Sequence, residues 1–355
     1  MSFSTISRAQ DELLVGVDIG GTKVAAGLLD RAGRIVAQSR VAMVANDAAR
    51  GLAAVAAAIE DLRSKAPSNA GSGSSGGFQP SAIGICAPGP LNPRTGVVIN
   101  PPNLPGWHNF PLADEMRKLY PHAQVKIDND ANAAALAEAK WGAGRGYRNV
   151  FYATIGTGIG TGFVIDDKVY HGRTGLATEG GHVGVDIHGP LCACGKRGCI
   201  ETLAAGPAIA RRARTKLAQS HAQTQSASGA SGSAAAVGDS KQSALLEMAG
   251  GRVESVTSEM VAKANAAGDT LAHEVMQETL DLLAYWLGNV IDLLEPDVIV
   301  IGGGVSSMLA PFLEDIRGRW VGACLSPYPH ETPLVLAHYK EDAGIAGAAA
   351  LCDTN

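Results

Sequence analysis

Two stretches constrain the fold more than any others. Leu13-Leu-Val-Gly-Val-Asp-Ile19 runs directly into Gly20-Gly21-Thr22-Lys23, and Val150 to Ile155 runs directly into Gly156-Thr157-Gly158. In each, a short apolar run stops at glycine and threonine and a second apolar run follows: Val24 to Leu29 in the first, Gly162 to Ile165 in the second. Runs of this length bounded by glycine read as buried strands joined by tight turns. A polar turn comes next in both (Asp30 to Gly33; Asp166-Asp167), then another strand-like segment (Arg34 to Val41; Lys168 to Tyr170). The repeat predicts two similar α/β lobes with a cleft between them. Further strands are expected at Ala82 to Cys86, Val125 to Asp128 and Asp297 to Ile301. Helices are expected at Asp47 to Lys65, Asn132 to Trp141, Pro207 to Leu217, Ser258 to Ala267, Asp269 to Leu294 and Ala343 to Leu351.

Composition narrows the function. The 355 residues suit about two domains, and the formal net charge of −5 lacks the dense Lys and Arg that non-specific nucleic-acid binding needs. The longest apolar runs, such as Val298 to Ile301, fall far short of the ~20 residues that cross a bilayer, and residues 1–10 carry no apolar signal core. The reading is a cytoplasmic protein with no membrane and no nucleic-acid partner. Pro67 to Gly77 and Gln219 to Ser243 are Gly/Ser- and Gln/Ser/Ala-rich, lack apolar periodicity and are expected to be solvated loops without chemistry.

Chemistry concentrates in five places. In Asp18-Ile-Gly20-Gly21-Thr22-Lys23, glycines let backbone N–H groups approach an anion, Thr22 adds a hydroxyl donor, Lys23 adds positive charge, and Asp18 suits hydrated Mg²⁺. The spacing is neither Gly-x-Gly-x-x-Gly nor that of a Walker A loop, and a plain hairpin turn is the competing reading. Gly156-Thr157-Gly158 repeats the chemistry, so the two turns together point to nucleotide phosphates. Gly302-Gly303-Gly304, after an apolar strand, would let a flat adenosine lie on bare backbone. His182 with Cys192, Cys194 and Cys199 supplies three thiolates and an imidazole, a closed tetrahedral Zn²⁺ set of structural type, with His188 as the rival nitrogen. Last, the loop from Asn100 to Trp107 with Asn103, the Asn129-Asp130-Ala-Asn132 segment, Glu179 with His182, and Glu201 bring together Asn, Asp, Glu and His, the residue types that bind sugar hydroxyls by paired donation and acceptance. Asp130, at a strand end, is suited to take a proton from a hydroxyl that attacks a γ-phosphate. Helix capping is the plainer reading of Asn129 and Asn132.

With these motifs in view, the chain resembles the ROK family of sugar kinases and repressors from Val15 to about Ala350, the two insertions excepted. The resemblance rests on Asp18-Ile-Gly-Gly-Thr-Lys23, Asn129-Asp130-Ala-Asn132, Glu179-Gly-Gly-His182 and Cys192-x-Cys194-Gly-x-x-Gly198-Cys199-x-Glu201. It implies an actin-like, ribonuclease-H-like fold of two lobes, 1–128 with 340–355 and 129–339, the final helix returning to the first. It implies ATP and a hexose in the cleft, Mg²⁺ with the phosphates, Asp130 as catalytic base, sugar contacts from Asn103, Asn129, Asp130, Glu179, His182 and Glu201, and a homodimer. It also implies that His182 serves both zinc and a sugar hydroxyl, which favours it over His188. Pro102-Asn103-Leu-Pro-Gly-Trp107 looks most like the bacterial glucokinase branch. The expectation is phosphorylation of a hexose C6 hydroxyl, with N-acetylglucosamine or N-acetylmannosamine kinase, fructokinase and a non-catalytic sugar sensor as alternatives. Polyphosphate remains open as a donor.

Overall fold

In the computed structural model, residues 13–66, 80–228 and 243–353 are described. The segment 67–77, read above as a loop, lies outside them, as does 229–242 of the second insertion. Twelve strands and eleven α-helices occur among the described residues. They are β1 (Leu14–Ile19), β2 (Lys23–Leu29), β3 (Ile35–Ala42), α1 (Ala48–Lys65), β4 (Ala82–Ala87), β5 (Leu91–Asn92), β6 (Val97–Val98), α2 (Leu112–Leu119), β7 (Gln124–Asn129), α3 (Asp130–Lys140), β8 (Asn149–Ile155), β9 (Ile159–Ile165), β10 (Lys168–Val169), α4 (Ile200–Ala204), α5 (Gly206–Ser228), α6 (Ala244–Met248), α7 (Ser258–Ala266), α8 (Thr270–Leu294), β11 (Val298–Gly302), α9 (Ser306–Leu309), α10 (Leu313–Arg319), β12 (Leu334–Leu336) and α11 (Ala343–Cys352).

The duplication suggested by the glycine turns is real at the level of topology. One five-stranded sheet has the order β3-β2-β1-β4-β7 and the other the order β10-β9-β8-β11-β12. Each begins with two antiparallel pairings, β1–β2–β3 or β8–β9–β10, and ends with two parallel ones, β1–β4–β7 or β8–β11–β12. The central strands β4 and β11 are buried at every residue, which explains their unbroken apolar runs.

Each sheet has an outer helical cover. Asp47 caps α1 by accepting from the Arg50 N–H, and Ala54, Val55, Ala58, Ile59 and Leu62 then fall on one stripe against the first sheet. Asp269 caps α8 by accepting from the Ala272 N–H at 2.8 Å, and Val275, Met276, Leu280, Leu283 and Leu287 enter the core under the second sheet.

Between the sheets lie two alanine-rich helices. The helix α3 continues from β7, the last strand of the first sheet, yet packs on β8 and β9 of the second. Conversely, α11 follows β12 of the second sheet and packs on β1 and β4 of the first. A Cβ on Gly347 would sit 2.4 Å from the Ala133 carbonyl carbon, so the two helices cross backbone to backbone. A Cβ on Gly84 would lie 1.7 Å from the Ala348 carbonyl oxygen, and one on Gly16 2.1 Å from that of Ile345.

Several boundaries differ from expectation for local reasons. The strand β9 starts at Ile159 rather than Gly162. Gly160 and Gly162 stay in the ladder opposite Thr154 and Tyr152, glycine being required because α3 lies so near. The helix α3 starts at Asp130 rather than Asn132, since the Asn129 side chain already accepts from the Ala131 N–H. The helix α5 runs to Ser228, past the expected end at Leu217, because Ala- and Gln-rich sequence is polar but helix-compatible. The short elements β5, β6, α2, α4, α6, α9, α10 and β12 carry too few residues for a periodic signal.

The close contact on Gly84 makes a direct prediction. Gly84→Ala should lower stability by roughly 3 kcal/mol in a denaturant melt, because α11 must move off the sheet. Gly318→Ala, on an exposed helical position with open space around it, should instead raise stability by about 1 kcal/mol.

Candidate functional site

The two glycine turns close hairpins: the Gly20 N–H donates to the Lys23 carbonyl at 2.9 Å, and the Gly156 N–H to the Gly158 carbonyl at 2.9 Å. The hairpin reading and the phosphate reading are therefore compatible, since Gly21, Thr22 and Thr157 remain at the surface or half-buried. Gly21 packs against the backbone of Asn103, where a Cβ would come within 2.7 Å of the carbonyl oxygen. The first turn is thereby joined to the Pro-rich loop expected to touch sugar. Asp18, at the end of β1, is half-buried, and burial pushes its carboxyl up, opposed by Cys86, whose thiol lies 3.5 Å away, and by Lys23.

Asp130 is the first residue of α3. Its Oδ1 accepts from the Ala131 N–H at 2.8 Å, a bond shared with Asn129 Oδ1 at 2.9 Å. Solvent reaches the side chain, yet protein surrounds it on most sides. Desolvation is the largest influence, the Ala131 N–H opposes it, and the carboxylates of Asp18 and Glu179 add to it. The carboxyl is pushed up to about 6. A carboxyl poised near neutrality, facing solvent from a cleft floor, has the chemistry of a general base.

Glu179 is exposed, and burial first, with Glu201 adding, raises its carboxyl against the pull of His182. Glu201 Oε2 accepts from the Ile159 N–H at 2.9 Å and leaves no room for a Cβ at Gly158, so this acid also fixes the second turn. The fold thus brings Asp18 and Glu179 within electrostatic reach of Asp130, and Glu179 within reach of His182 and Glu201.

The side-chain ligand atoms of His182, Cys192, Cys194 and Cys199 all lie within 4.8 Å of one another. Cys192 Sγ is 3.5 Å from His182 Nδ1, and Cys194 Sγ is 3.6 Å from Cys199 Sγ. Tetrahedral Zn²⁺ with Zn–S of about 2.3 Å needs sulfurs roughly 3.8 Å apart, so the set fits zinc. His188 is exposed and outside the group. Because Nδ1 faces the thiols, His182 Nε2 is left for another partner.

A cavity of about 380 Å³ is lined by Gly156, Thr157, Gly206, Pro207, Arg214 and Gly304, among others. It opens beside the second turn. Of the three consecutive glycines, Gly304 alone lines it. Gly302 abuts the Tyr152 ring, and Gly303, at φ 84°, abuts the Ile155 backbone, so these two serve the packing of β11 on β8. Sequence reasoning missed Pro207 and Arg214, which lie on a helix whose pattern looks like core. It also missed Asp128 near the end of β7, which is buried although it shares a strand face with exposed Gln124 and half-buried Lys126.

Residues 14–355 match the model of the ROK family. A glucokinase of Thermotoga maritima is 32% identical over 339 residues, covering 95% of this chain and 96% of that protein. An N-acetylmannosamine kinase of Salmonella heidelberg is 30% identical over 338 residues, covering 95% of this chain and 97% of that one. Among solved structures, a ROK family glucokinase from Streptomyces griseus, in complex with glucose and AMPPNP, is 32% identical. It superposes with a TM-score of 0.71, covering 96% of this chain and 98% of its own. With this sequence match, the two-sheet fold and the clustered site motifs, the chain belongs to the ROK family.

Proposed function

We propose that this chain is an ATP-dependent sugar kinase that phosphorylates the C6 hydroxyl of a hexose, with glucose as the substrate. The observation that carries the reading is Asp130: a carboxyl pushed up to about 6 at the start of α3, under the influence of Asp18, which precedes the first turn, and of Glu179. The Thermotoga and Streptomyces glucokinases support glucose, and the AMPPNP in the latter supports ATP as donor. The Salmonella relative favours N-acetylmannosamine as a second reading.

In this reading Asn103, Asn129, Glu179, His182 Nε2 and Glu201 hold the sugar hydroxyls. Asp130 accepts the C6 hydroxyl proton as that oxygen bonds to the γ-phosphorus, the bond from phosphorus to the ADP oxygen breaking as it forms. Gly21, Thr22, Thr157 and Gly158 donate to phosphate oxygens, and the cavity beside Gly304 takes the adenosine. Asp18, with hard oxygen donors beside the first turn, would hold Mg²⁺, which supplies charge neutralisation on the phosphates. His182, Cys192, Cys194 and Cys199 would hold Zn²⁺, whose role is to fix the loop that presents Glu179 and His182.

Three outcomes test the assignment. Asp130→Asn should lower kcat at least ~10³-fold while calorimetry finds the sugar Kd changed less than about fivefold. Near-normal turnover would remove Asp130 from the chemistry. A base must be unprotonated to act, and Asp130 holds its proton below about 6. The kcat/KM profile for the sugar should therefore fall about tenfold per pH unit below that point and stay flat just above it. Metal analysis should find about one zinc per chain, and Cys199→Ser should raise the sugar KM by at least ~10-fold while ATP affinity stays within about twofold. Assaying glucose beside N-acetylmannosamine by ADP release separates the two substrates.

A further inference from the structure

The buried acid next to the proposed base is the strongest unassigned feature. Asp128 has a side chain only 3% exposed and ends β7 two residues before Asp130. Its carboxylate takes three donors. Oδ1 accepts from the Asn129 N–H at 2.7 Å and from Asn132 Nδ2 at 3.0 Å, and Oδ2 accepts from His171 Nε2 at 2.6 Å. No such donor from its own strand reaches Oδ2. That bond comes from the loop after β10, on the second sheet.

We infer that His171 is a positioning residue: through Asp128 it sets the geometry of the β7–α3 junction and so the aim of Asp130. The chain of contacts is short. His171 fixes the carboxylate plane of Asp128. That plane fixes the Asn129 backbone and the Asn132 side chain, one on each side of Asp130. Asn129 Oδ1 in turn shares the Ala131 N–H with Asp130 Oδ1. With Oδ2 of Asp128 lacking its donor, a buried acceptor would be left unsatisfied and the carboxylate would turn to seek one. A sub-ångström shift of the base from the hydroxyl it must reach costs rate steeply.

The donor is Nε2, because Asp128 offers only acceptors when it takes all three bonds. The outer side of His171 lines a cavity of about 820 Å³ on the edge formed by β7, β10 and the end of α11, and its side chain is 31% exposed. Substitution there meets open space rather than core.

The inference rests on Asp130 being the base, and paired variants separate the two. Gln can place an amide N–H near the position of His Nε2, whereas Asn is one carbon too short. His171→Asn should lower kcat by roughly 10- to 100-fold with the ATP KM unchanged within about twofold. His171→Gln should recover kcat to within about threefold of the parent, since it restores the donor. Zinc content and melting temperature should match the parent in both. Parent-like kcat in His171→Asn overturns the inference, and so does an equal loss in both variants or a loss that tracks a lowered melting temperature. An active Asp130→Asn would instead overturn the assignment of the base.

Discussion

The contact on which the molecule depends is the crossing of α3 and α11. Each helix leaves the final strand of one sheet and lies on the other sheet, so the two halves share a single inner layer. That exchange works only where backbones approach without side chains between them. Gly347 gives α11 its approach to Ala133, Gly16 and Gly84 give the first sheet its approach to α11, and Gly162 gives β9 its approach to α3. Ala-rich sequence elsewhere in both helices keeps the layer thin. The fully buried Glu138 fastens the far end, accepting from the Ala143 N–H at 2.8 Å and from the Tyr339 N–H at 2.9 Å just before α11. With both helices fixed, the start of α3 is a rigid point at the base of the cleft, and Asp130 stands on it.

At that point two electrostatic effects compete. A helix N-terminus and the Ala131 N–H favour the charged carboxylate. Desolvation, followed by the negative charge of Asp18 and Glu179, favours the neutral acid. The second set wins, since the carboxyl moves up rather than down. The outcome follows from magnitudes: the dipole of a first turn is worth about 0.3–1 kcal/mol at an exposed site, while desolvating the carboxylate costs more, with the two neighbouring acids adding to it. A triphosphate entering the same cleft brings further negative charge. It would raise the Asp130 carboxyl still more unless cations entered with it; under the proposed function, Lys23 and a divalent ion held by Asp18 would serve that purpose as well as holding phosphate.

Much of this was legible in the sequence because glycine marks places where backbone meets backbone. The two turns, the internal duplication and the Cys-x-Cys…Cys loop with its histidine were readable from residue type and spacing alone. Choosing His182 over His188 was not; that came from resemblance, and the geometry gives it a reason in the 3.5 Å approach of Nδ1 to Cys192. Gly302 and Gly303 show why such a run is hard to read from sequence. A glycine run after a strand looks the same whether the bare backbone faces a ligand or a neighbouring strand, and only the tertiary partner, β8, distinguishes them. Asp128 was hidden because its importance lies in a hydrogen bond to a residue 43 positions away. Local pattern holds no trace of such a pair.

The segment from His171 to His182 draws these strands together. It carries Glu179 into the cleft, and an imidazole anchors each end: His171 to Asp128 of the first sheet, His182 toward the three thiols. Between them the loop lies flat on β9. The Thr161 hydroxyl donates to the Thr178 carbonyl at 2.9 Å and accepts from the Gly180 N–H at 2.8 Å, and a Cβ on Gly181 would collide with the Ile159 carbonyl. The two glycines between Glu179 and His182 therefore exist for the contact with β9, not for the ligand. They let the backbone sink onto the strand so that the flanking Glu179 and His182 reach the cleft. Under the proposed function, zinc at one end would do for the sugar side what Asp128 would do for the base: it would replace the flexibility of a long glycine-containing loop with a fixed direction for a few polar atoms.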